Sequence, residues 1–348
     1  MATPKSMTLS STTFAKLSPH PYLLANLQPA DSSTTPTRTN GRQPSEARTP
    51  YINTSSLSHA HGSAVVRNGD TTVICGVRGE TILTSAIPNY RAASAVDNSD
   101  SAQDEARDYD LLVPNIELAT GCAPNFLPGV PPTTLAQTLS TRVYSLLHSS
   151  KLIDVNRLRI YPEEVGGGKS TGDGDEKMDE AEESDEYAVS EDKEVKAYWV
   201  LYIDVLFISF DGNPFDTAWT AILAALRDTK LPQAYWDADR EMVLCKRSPA
   251  KMSRLDLRGL PVTCTAAVFT AKEKQKKGNG SYWVLVDPDR LEEGLCDETV
   301  TVVVDQLSGG TKLLGISKHG GTIVGPELMK TMVATAESRW EQIRAAIE

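Results

Sequence analysis

The stretch HGSAVVRNGDTTVICGV, residues 61–77, decides the fold of this 348-residue chain. Residues 62–67 and 71–77 are rich in β-branched and small apolar side chains, a composition typical of buried strands. Asn68-Gly69 stands between them and is a strong hairpin signal, because both central residues of a type I′ turn need positive φ. The stretch therefore predicts two antiparallel strands joined by a tight turn centred on Asn68-Gly69.

Outside residues 61–77, short apolar runs predict further strands, and apolar residues that recur every three or four positions predict helices. The expected strands cover 51–57, 111–118, 157–161, 198–209, 242–245, 262–269, 282–286, 299–304 and 312–317. The expected helices cover 14–27, 131–153, 215–227 and 326–347, and residues 89–108 are expected to form a loop. Both halves show the same kind of succession, which predicts an α+β fold of two similar units packed as one body.

The net charge of −11 is concentrated in one segment. Residues 163–196 hold 14 acidic and 4 basic side chains, a net of −10, which leaves about −1 for the remainder. We expect a disordered acidic insertion here, because the segment cannot bury enough apolar area to offset the entropy of ordering it. The chain then divides into an N-terminal arm and linker (1–47), a first half (48–162) and a second half (197–348).

The function of the insertion stays open at this stage. It is expected to be a solvated loop, or else a docking or phosphorylation segment, because Ser184 and Ser190 lie among acidic residues. Since the acidic charge belongs to this segment, the net charge is no argument against contact between the remainder and a nucleic acid.

Other features of the composition exclude several classes of protein. No run of 18 apolar residues occurs, and the first 17 residues are polar, so neither a membrane span nor a secretory signal is expected. The five cysteines stand at positions 75, 122, 245, 264 and 296 and form no CxxC pair. We therefore expect reduced thiols and no zinc site.

Four motifs, in order along the chain, resemble those of RNase PH-like proteins. They are Gly41-Arg42 with Glu46-Ala47-Arg48, the hairpin 61–77, the run from Asp211-Gly212-Asn213 to Pro232, and VDPDRLEE at 286–293. The resemblance covers about residues 40–347 apart from the acidic insertion. Within the family, the chain resembles the ring subunits of the eukaryotic RNA exosome. It implies a ββαβα unit repeated twice and assembly into a six-membered ring.

The resemblance also implies a chemistry. Active members degrade RNA from the 3′ end by phosphorolysis, in which inorganic phosphate attacks the terminal linkage. Such an enzyme needs an arginine and backbone N–H groups at a helix N-terminus to hold the phosphate. It also needs carboxylates that carry a divalent metal or move a proton.

This chain departs from the active pattern in its phosphate-binding and RNA-binding positions. Active members have Gly-Thr-Arg at the start of the second-half helix, where this chain has Asn213, Pro214 and Phe215. A phenylalanine cannot hold phosphate, and Pro214 removes a backbone donor. Active members also carry an arginine pair before the first-half helix, where residues 131–134 here are uncharged.

A third departure concerns the carboxylates. The aspartate pair of active members is spaced six apart; here Asp287 remains and Glu293 takes the second position. Losing the phosphate arginine costs several kcal/mol of transition-state stabilisation. We therefore interpret Phe215, Asp287 and Glu293 as a degenerate site and expect no catalytic residue, no metal and no cofactor.

The expected function is that of a non-catalytic structural subunit of the exosome core ring. It would support 3′-to-5′ processing and degradation of RNA, including maturation of ribosomal RNA, in the nucleus, the nucleolus and also the cytoplasm. The implied partners are other RNase PH-like ring subunits, a cap protein with an S1-type fold, docked catalytic nucleases and RNA. Two alternatives stay open: an active phosphate-dependent 3′-to-5′ exoribonuclease, and an unrelated soluble α+β protein.

Basic side chains on the rim of a ring channel would track RNA phosphates. Arg78 follows the core hairpin, and Arg91 and Arg107 lie in the polar stretch after it, so these three are the candidate RNA-binding residues. The simpler interpretation of each is an ordinary solvated surface arginine.

Overall fold

The computed structural model describes residues 10–29, 35–91, 99–129, 131–163, 194–246, 252–271, 282–296, 298–307, 309–320 and 325–348. Apart from its ends, the expected acidic insertion lies outside these residues, and so do Ser184 and Ser190. Among the described residues, no helix is both long and apolar enough to cross a membrane.

The described residues form fourteen strands and seven α-helices. The strands are β1 (Pro50–Thr54), β2 (Gly62–Asn68), β3 (Thr71–Leu83), β4 (Leu112–Leu118), β5 (Arg159–Ile160), β6 (Ala197–Ser209), β7 (Lys230–Pro232), β8 (Ala234–Asp237), β9 (Met242–Cys245), β10 (Met252–Arg254), β11 (Val262–Thr270), β12 (Tyr282–Val286), β13 (Glu298–Asp305) and β14 (Lys312–His319). The α-helices are α1 (Ser11–Leu17), α2 (Pro19–Leu27), α3 (Ser99–Asp108), α4 (Thr134–Ser149), α5 (Pro214–Asp228), α6 (Arg290–Leu295) and α7 (Pro326–Ile347).

The first sheet has the strand order β1-β2-β3-β6-β4, and β5 pairs with the start of β6. β6 runs antiparallel to β3 and parallel to β4, and its alternate residues Val205 and Phe207 are buried. The boundary that the sequence suggested at residue 197 is therefore wrong, because β6 completes the first sheet instead of opening the second half. Its partners lie far away in sequence, so no local pattern reveals the pairing.

The core hairpin forms as expected, with its turn shifted by one residue. Asn68 pairs with Thr71, so Gly69 and Asp70 are the central residues of the turn. Of these two, Gly69 has a positive φ of 62°. Asn68 is instead the last residue of β2, and its side chain is buried. The Asn68-Gly69 pair thus locates the hairpin correctly, but Asn68 ends β2 and is not a central residue of the turn.

The second sheet has the order β12-β11-β13-β14. α7 packs on β11 and β13, and the Trp340 indole N–H donates to the Leu260 carbonyl oxygen over 2.8 Å. α5 packs on β2 and β3 of the first sheet and on β11 of the second. All but its last two residues are buried, as expected of a helix between two sheets. This central helix joins the two halves into one body.

Two local expectations are corrected. The stretch 89–108, expected to be a loop, contains α3, which Ala106 anchors in the core while Glu105 pairs with Arg159 at 2.7 Å. Its polar composition hid the helix. The single helix expected at 14–27 is two helices, because Pro19 begins α2 and cannot continue α1.

The arm before β1 is anchored to the second half. Arg38 is 2% exposed, and its guanidinium pairs with Glu292 of α6 at 3.3 Å and donates to the carbonyl oxygen of Val286. Burial lowers the pKa of Arg38 to about 10, although Glu292 opposes the shift. The segment 1–47, expected to be an N-terminal arm and linker, therefore takes part in a buried ion pair through Arg38.

Candidate functional site

Asp287 and Glu293, the two carboxylates singled out from the sequence, lie just after β12. Asp287 has a positive φ of 52° and is 2% exposed, so its carboxylate points into the protein. The Arg48 guanidinium donates from Nε to Oδ2 and from Nη2 to Oδ1, both over 2.8 Å. The backbone N–H of Arg48 also donates to Oδ2, over 2.9 Å.

Two asparagine amides complete the shell around Asp287. Asn213 Nδ2 donates to Oδ1 over 2.7 Å, and Asn68 Nδ2 lies 3.3 Å from Oδ1. The Arg42 guanidinium adds an ion pair at 3.6 Å. Both carboxylate oxygens are therefore occupied by donors of the protein itself.

The electrostatics match this geometry. Burial would raise the pKa of Asp287, but the hydrogen bonds and positive charge of Arg48, with the amide of Asn213, lower the pKa to about 2. The group is thus a permanent anion at neutral pH. A carboxylate with so low a pKa is a poor general base, because the ideal pKa of a base lies near the working pH.

The start of α5 is the second part of the site. Gly212 has a φ of 77°, and a Cβ atom there would lie 2.4 Å from the carbonyl carbon of Asp289. The turn before α5 therefore packs backbone to backbone against the turn before α6. Asn213 follows in the left-handed conformation and is 2% exposed.

Asn213 links the carboxylates around it. Its amide Nδ2 donates to Asp216 Oδ2 over 2.9 Å as well as to Asp287, and its backbone N–H donates to Glu293 Oε1 over 2.8 Å. The N-terminus of a helix attracts an anion, because its N–H groups lack partners and the helix dipole is positive there. Glu293 supplies that anion from within the chain.

Glu293 has an unusual protonation equilibrium. Burial raises its pKa to about 7, and the hydrogen bond from the Asn213 N–H and the charge of Arg48 only partly oppose the rise. The carboxylate is therefore close to half-protonated at neutral pH. The charge of Glu293 therefore changes within the physiological pH range.

Phe215 lies in the first turn of α5 and is 5% exposed. The Arg142 guanidinium of α4 lies over its ring, 3.9 Å from the centroid, and Arg142 Nη2 donates to Thr301 Oγ1 over 2.9 Å. Burial lowers the pKa of Arg142, and the charge of Asp216 opposes this. The ring therefore supports an arginine that links α4 to β13, and it offers no hydrogen bond to phosphate.

The uncharged stretch 131–134 leads into α4. Thr133 is the N-cap of α4, and its hydroxyl oxygen accepts from the Ala136 N–H over 3.3 Å. The charged pair expected of active members at this point is thus replaced by capping chemistry.

The three candidate RNA-binding arginines fall into two places. Arg78 is an exposed residue of β3 that pairs with Glu80 at 3.2 Å and lies over the Tyr202 ring. The backbone N–H of Arg91 lies 3.2 Å from the hydroxyl of Tyr109, two residues beyond Arg107 at the end of α3. The structure thus brings Arg91 and Arg107 into one region and leaves Arg78 on the sheet.

Sequence reasoning missed the residues that hold Asp287. Arg48 was part of a quoted motif, and Asn68 was assigned to the turn, but neither was connected with a carboxylate about 220–240 positions away. The one local signal is the buried-strand pattern of β2, whose alternation places Asn68 on the inner face with Val66. Among the described residues, no group of three or more His, Cys, Asp or Glu side chains has a geometry that would hold a metal ion.

Comparison with known proteins identifies the class. The model of the "3' exoribonuclease family, domain 1" (RNase PH) matches residues 46–232, and that of domain 2 of the same family matches residues 259–339. The chain therefore belongs to the RNase PH family, and the alternative of an unrelated α+β protein is wrong. The expected fold class is confirmed.

Individual relatives agree with this assignment. The chain is 30% identical over 336 residues to the exosome complex component rrp43 of Schizosaccharomyces pombe, covering 97% of both chains. It is 23% identical over 296 residues to the exosome complex component Rrp42 of Archaeoglobus fulgidus, covering 85% of each. The resemblance to exosome ring subunits drawn from the motifs is confirmed.

Solved structures show the same fold. A chain of the Archaeoglobus fulgidus exosome with RNA bound to the active site superposes with a TM-score of 0.60 at 23% identity, covering 94% of this chain and 97% of that one. A chain of an archaeal exosome core superposes with a TM-score of 0.57 at 21% identity, covering 97% and 100%.

Proposed function

We propose that this chain is a structural, non-catalytic subunit of an exosome core ring that supports 3′-to-5′ processing and degradation of RNA, including maturation of ribosomal RNA. The observation that carries the proposal is that both carboxylates already accept hydrogen bonds from other residues of this chain. Asp287 is saturated by Arg48, Asn213 and Asn68, and Glu293 takes the N–H group of Asn213. Asp287 therefore has no free oxygen with which to hold a metal, and Glu293 already accepts a hydrogen bond from the backbone.

The surroundings of α5 also disfavour an incoming phosphate. Three acidic side chains, Asp216, Asp287 and Glu293, lie within hydrogen-bonding distance of Asn213. Phosphate would approach this negative cluster without an arginine in the first turn, where Phe215 stands instead. Repulsion between like charges and the lack of a bidentate donor both raise the free energy of such a complex.

The partners proposed for the ring are other RNase PH-like subunits, a cap protein with an S1-type fold, docked catalytic nucleases and the RNA that passes through the channel. The names of the relatives, which are components of exosome complexes, support the first of these. Arg78, Arg91 and Arg107 are proposed as RNA contacts, and the nucleus, the nucleolus and the cytoplasm as the places of action.

The test is a phosphorolysis assay on the assembled ring. The ring that contains this chain is given a labelled oligoribonucleotide and inorganic phosphate, and release of nucleoside diphosphates is measured. A Glu293→Gln or Asp287→Asn substitution in this chain alone should leave the rate unchanged. A rate that falls with either substitution, in a ring shown to be intact, would establish the alternative of an active phosphate-dependent exoribonuclease, which the family description favours.

A further inference from the structure

A small buried cavity lies where the two halves of the chain meet. It is lined by Asn68 and Val66 of β2, by residues of α5, by Thr263 of β11, by residues of α7 and by Pro50. All nine lining residues are buried. The volume of the cavity is about 10 Å³, which is room for one water molecule.

Two of the lining residues carry a polar side-chain atom that has no hydrogen-bond partner among the described residues. The atoms are Asn68 Oδ1 and Thr263 Oγ1, and the two residues are 2% and 3% exposed. Asn68 Nδ2 faces both carboxylate oxygens of Asp287, at 3.3 and 3.4 Å, so the amide oxygen must point away from that carboxylate. Because a buried polar atom without a partner is costly, proteins provide one for nearly all such atoms.

The other polar groups on the wall add donors and acceptors. Arg339 of α7 uses Nη1 for two hydrogen bonds, and its Nε and Nη2 have no partner in the part of the chain that the structure describes. Thr217 and Thr220 of α5 each donate their hydroxyl proton to the carbonyl oxygen four residues earlier, so these hydroxyl oxygens can only accept further bonds. The wall therefore offers a ligand both donors and acceptors.

The charges around the cavity disfavour an ion. The Arg339 guanidinium is positive and repels a metal cation, whereas Asn68 Oδ1 and the Asp216 carboxylate repel an anion such as chloride. A water molecule is neutral and can bond to donors and acceptors at the same time. Of these three kinds of ligand, water alone suits both the size and the polarity of the wall.

We propose that this cavity is the site of one ordered water molecule, which accepts a hydrogen bond from Arg339 and bonds to Asn68 Oδ1 and Thr263 Oγ1. Buried waters typically make about three hydrogen bonds to polar groups that otherwise lack partners. Because Asn68 Nδ2 faces Asp287, the water connects α7 to the shell of donors around that carboxylate. This contact does not depend on the ring function proposed above.

The direct test is the electron density of the wild-type chain, crystallised alone or in its ring and exposed to bromide and rubidium ions. We expect one peak within hydrogen-bonding distance of Asn68 Oδ1, Thr263 Oγ1 and Arg339, without the anomalous signal of either ion. A cavity without a peak, a peak out of reach of Asn68 Oδ1, or a peak that carries the anomalous signal of bromide or rubidium would overturn the proposal.

Two substitutions at position 263 measure what the water contributes. Thr263→Val keeps the shape of the side chain without its hydroxyl, and Thr263→Ser, the control, keeps the hydroxyl. The density peak should persist in Thr263→Ser and vanish or weaken in Thr263→Val, whose equilibrium constant for unfolding in urea should rise about fivefold. Unchanged or greater stability of Thr263→Val would show that the hydroxyl has no partner to lose, which contradicts the proposal. If Thr263→Val does not fold, the density of the wild-type chain decides alone.

Discussion

The guanidinium of Arg48 and the carboxylate of Asp287 form a two-pronged ion pair, Nε to Oδ2 and Nη2 to Oδ1, each over 2.8 Å. The pair joins the segment just before β1 to the turn that follows β12. Because Asp287 is 2% exposed, the strength of the contact is not screened by water. Asp287, which the motif resemblance interprets as part of a degenerate site, thus connects the two halves of this chain.

Removing the Arg48 side chain should strongly destabilise the folded chain. Arg48→Ala leaves the Asp287 charge buried without its main partner, and we expect the free energy of unfolding to fall by about 3–5 kcal/mol. Arg78→Ala is the control, because Arg78 and its partner Glu80 are 58% and 52% exposed, and it should cost about 0–1 kcal/mol. Urea unfolding followed by circular dichroism measures both. Similar losses for the two variants would contradict the assigned role of Arg48.

Glu293 should make stability depend on pH in the neutral range. Its pKa is about 7 in the folded chain and near the ordinary glutamate value when unfolded, so ionisation on going from pH 5 to pH 8 disfavours the folded state. Glu293→Gln cannot ionise but keeps an oxygen for the Asn213 N–H. The variant should therefore gain stability relative to the wild type as pH rises, by about 1–3 kcal/mol between pH 5 and 8.

Thermal unfolding at a series of pH values measures the difference. Glu80→Gln, a change at an exposed carboxylate, serves as the control and should run parallel to the wild type. A Glu293→Gln curve that also runs parallel to the wild type would show that the carboxylate does not titrate near neutral pH.

Restoring an arginine at position 215 should not restore catalysis. Phe215→Arg buries a second guanidinium beside Arg142, which lies 3.9 Å from the present ring, and should cost about 3–5 kcal/mol of stability. Phe215→Leu keeps the position apolar and should cost about 1.5 kcal/mol. Calorimetry with inorganic phosphate should detect no binding to either variant. Phosphate binding by Phe215→Arg at millimolar concentration would show that the α5 N-terminus remains open.

The close approach of two turns makes Gly212 irreplaceable. Gly212→Ala needs a positive φ and puts a Cβ atom 2.4 Å from the backbone of Asp289, so we expect a loss of about 3–5 kcal/mol. Gly294 in α6 has nothing within 4 Å of a Cβ atom, and Gly294→Ala should stabilise the helix by about 0.5–1 kcal/mol. The two alanines, compared in urea, separate backbone overlap from a general effect of replacing glycine.

Local patterns made most elements predictable. The hairpin 61–77 combines alternating burial with a turn dipeptide, and α7 repeats its apolar residues every three or four positions, so each carries its own signal. The sequence did not reveal α3, because eight of its ten residues are polar and the helix is anchored by one ion pair and one buried alanine. Such contacts are tertiary and leave little trace in the local sequence.

The contacts of the candidate site were hidden from the sequence. The motif resemblance pointed to Phe215, Asp287 and Glu293, but the partners of Asp287 come from positions 48, 68 and 213. No spacing rule connects residues that meet only after two sheets have packed. The order of strands, with β6 beside β3, was hidden for the same reason.

The place of β6 in the first sheet has a consequence for biosynthesis. Thr84 and Lys196, which lie at the junction of β3 and β6, are 112 positions apart. When a ribosome has delivered β1 to β5, only β1, β2 and β3 can therefore pair as in the folded chain, and the edge of β3 that β6 will occupy is open, while β4 and β5 still lack their partner. Because unpaired edges invite pairing with other chains, the nascent chain is most prone to aggregate before residue 209 emerges.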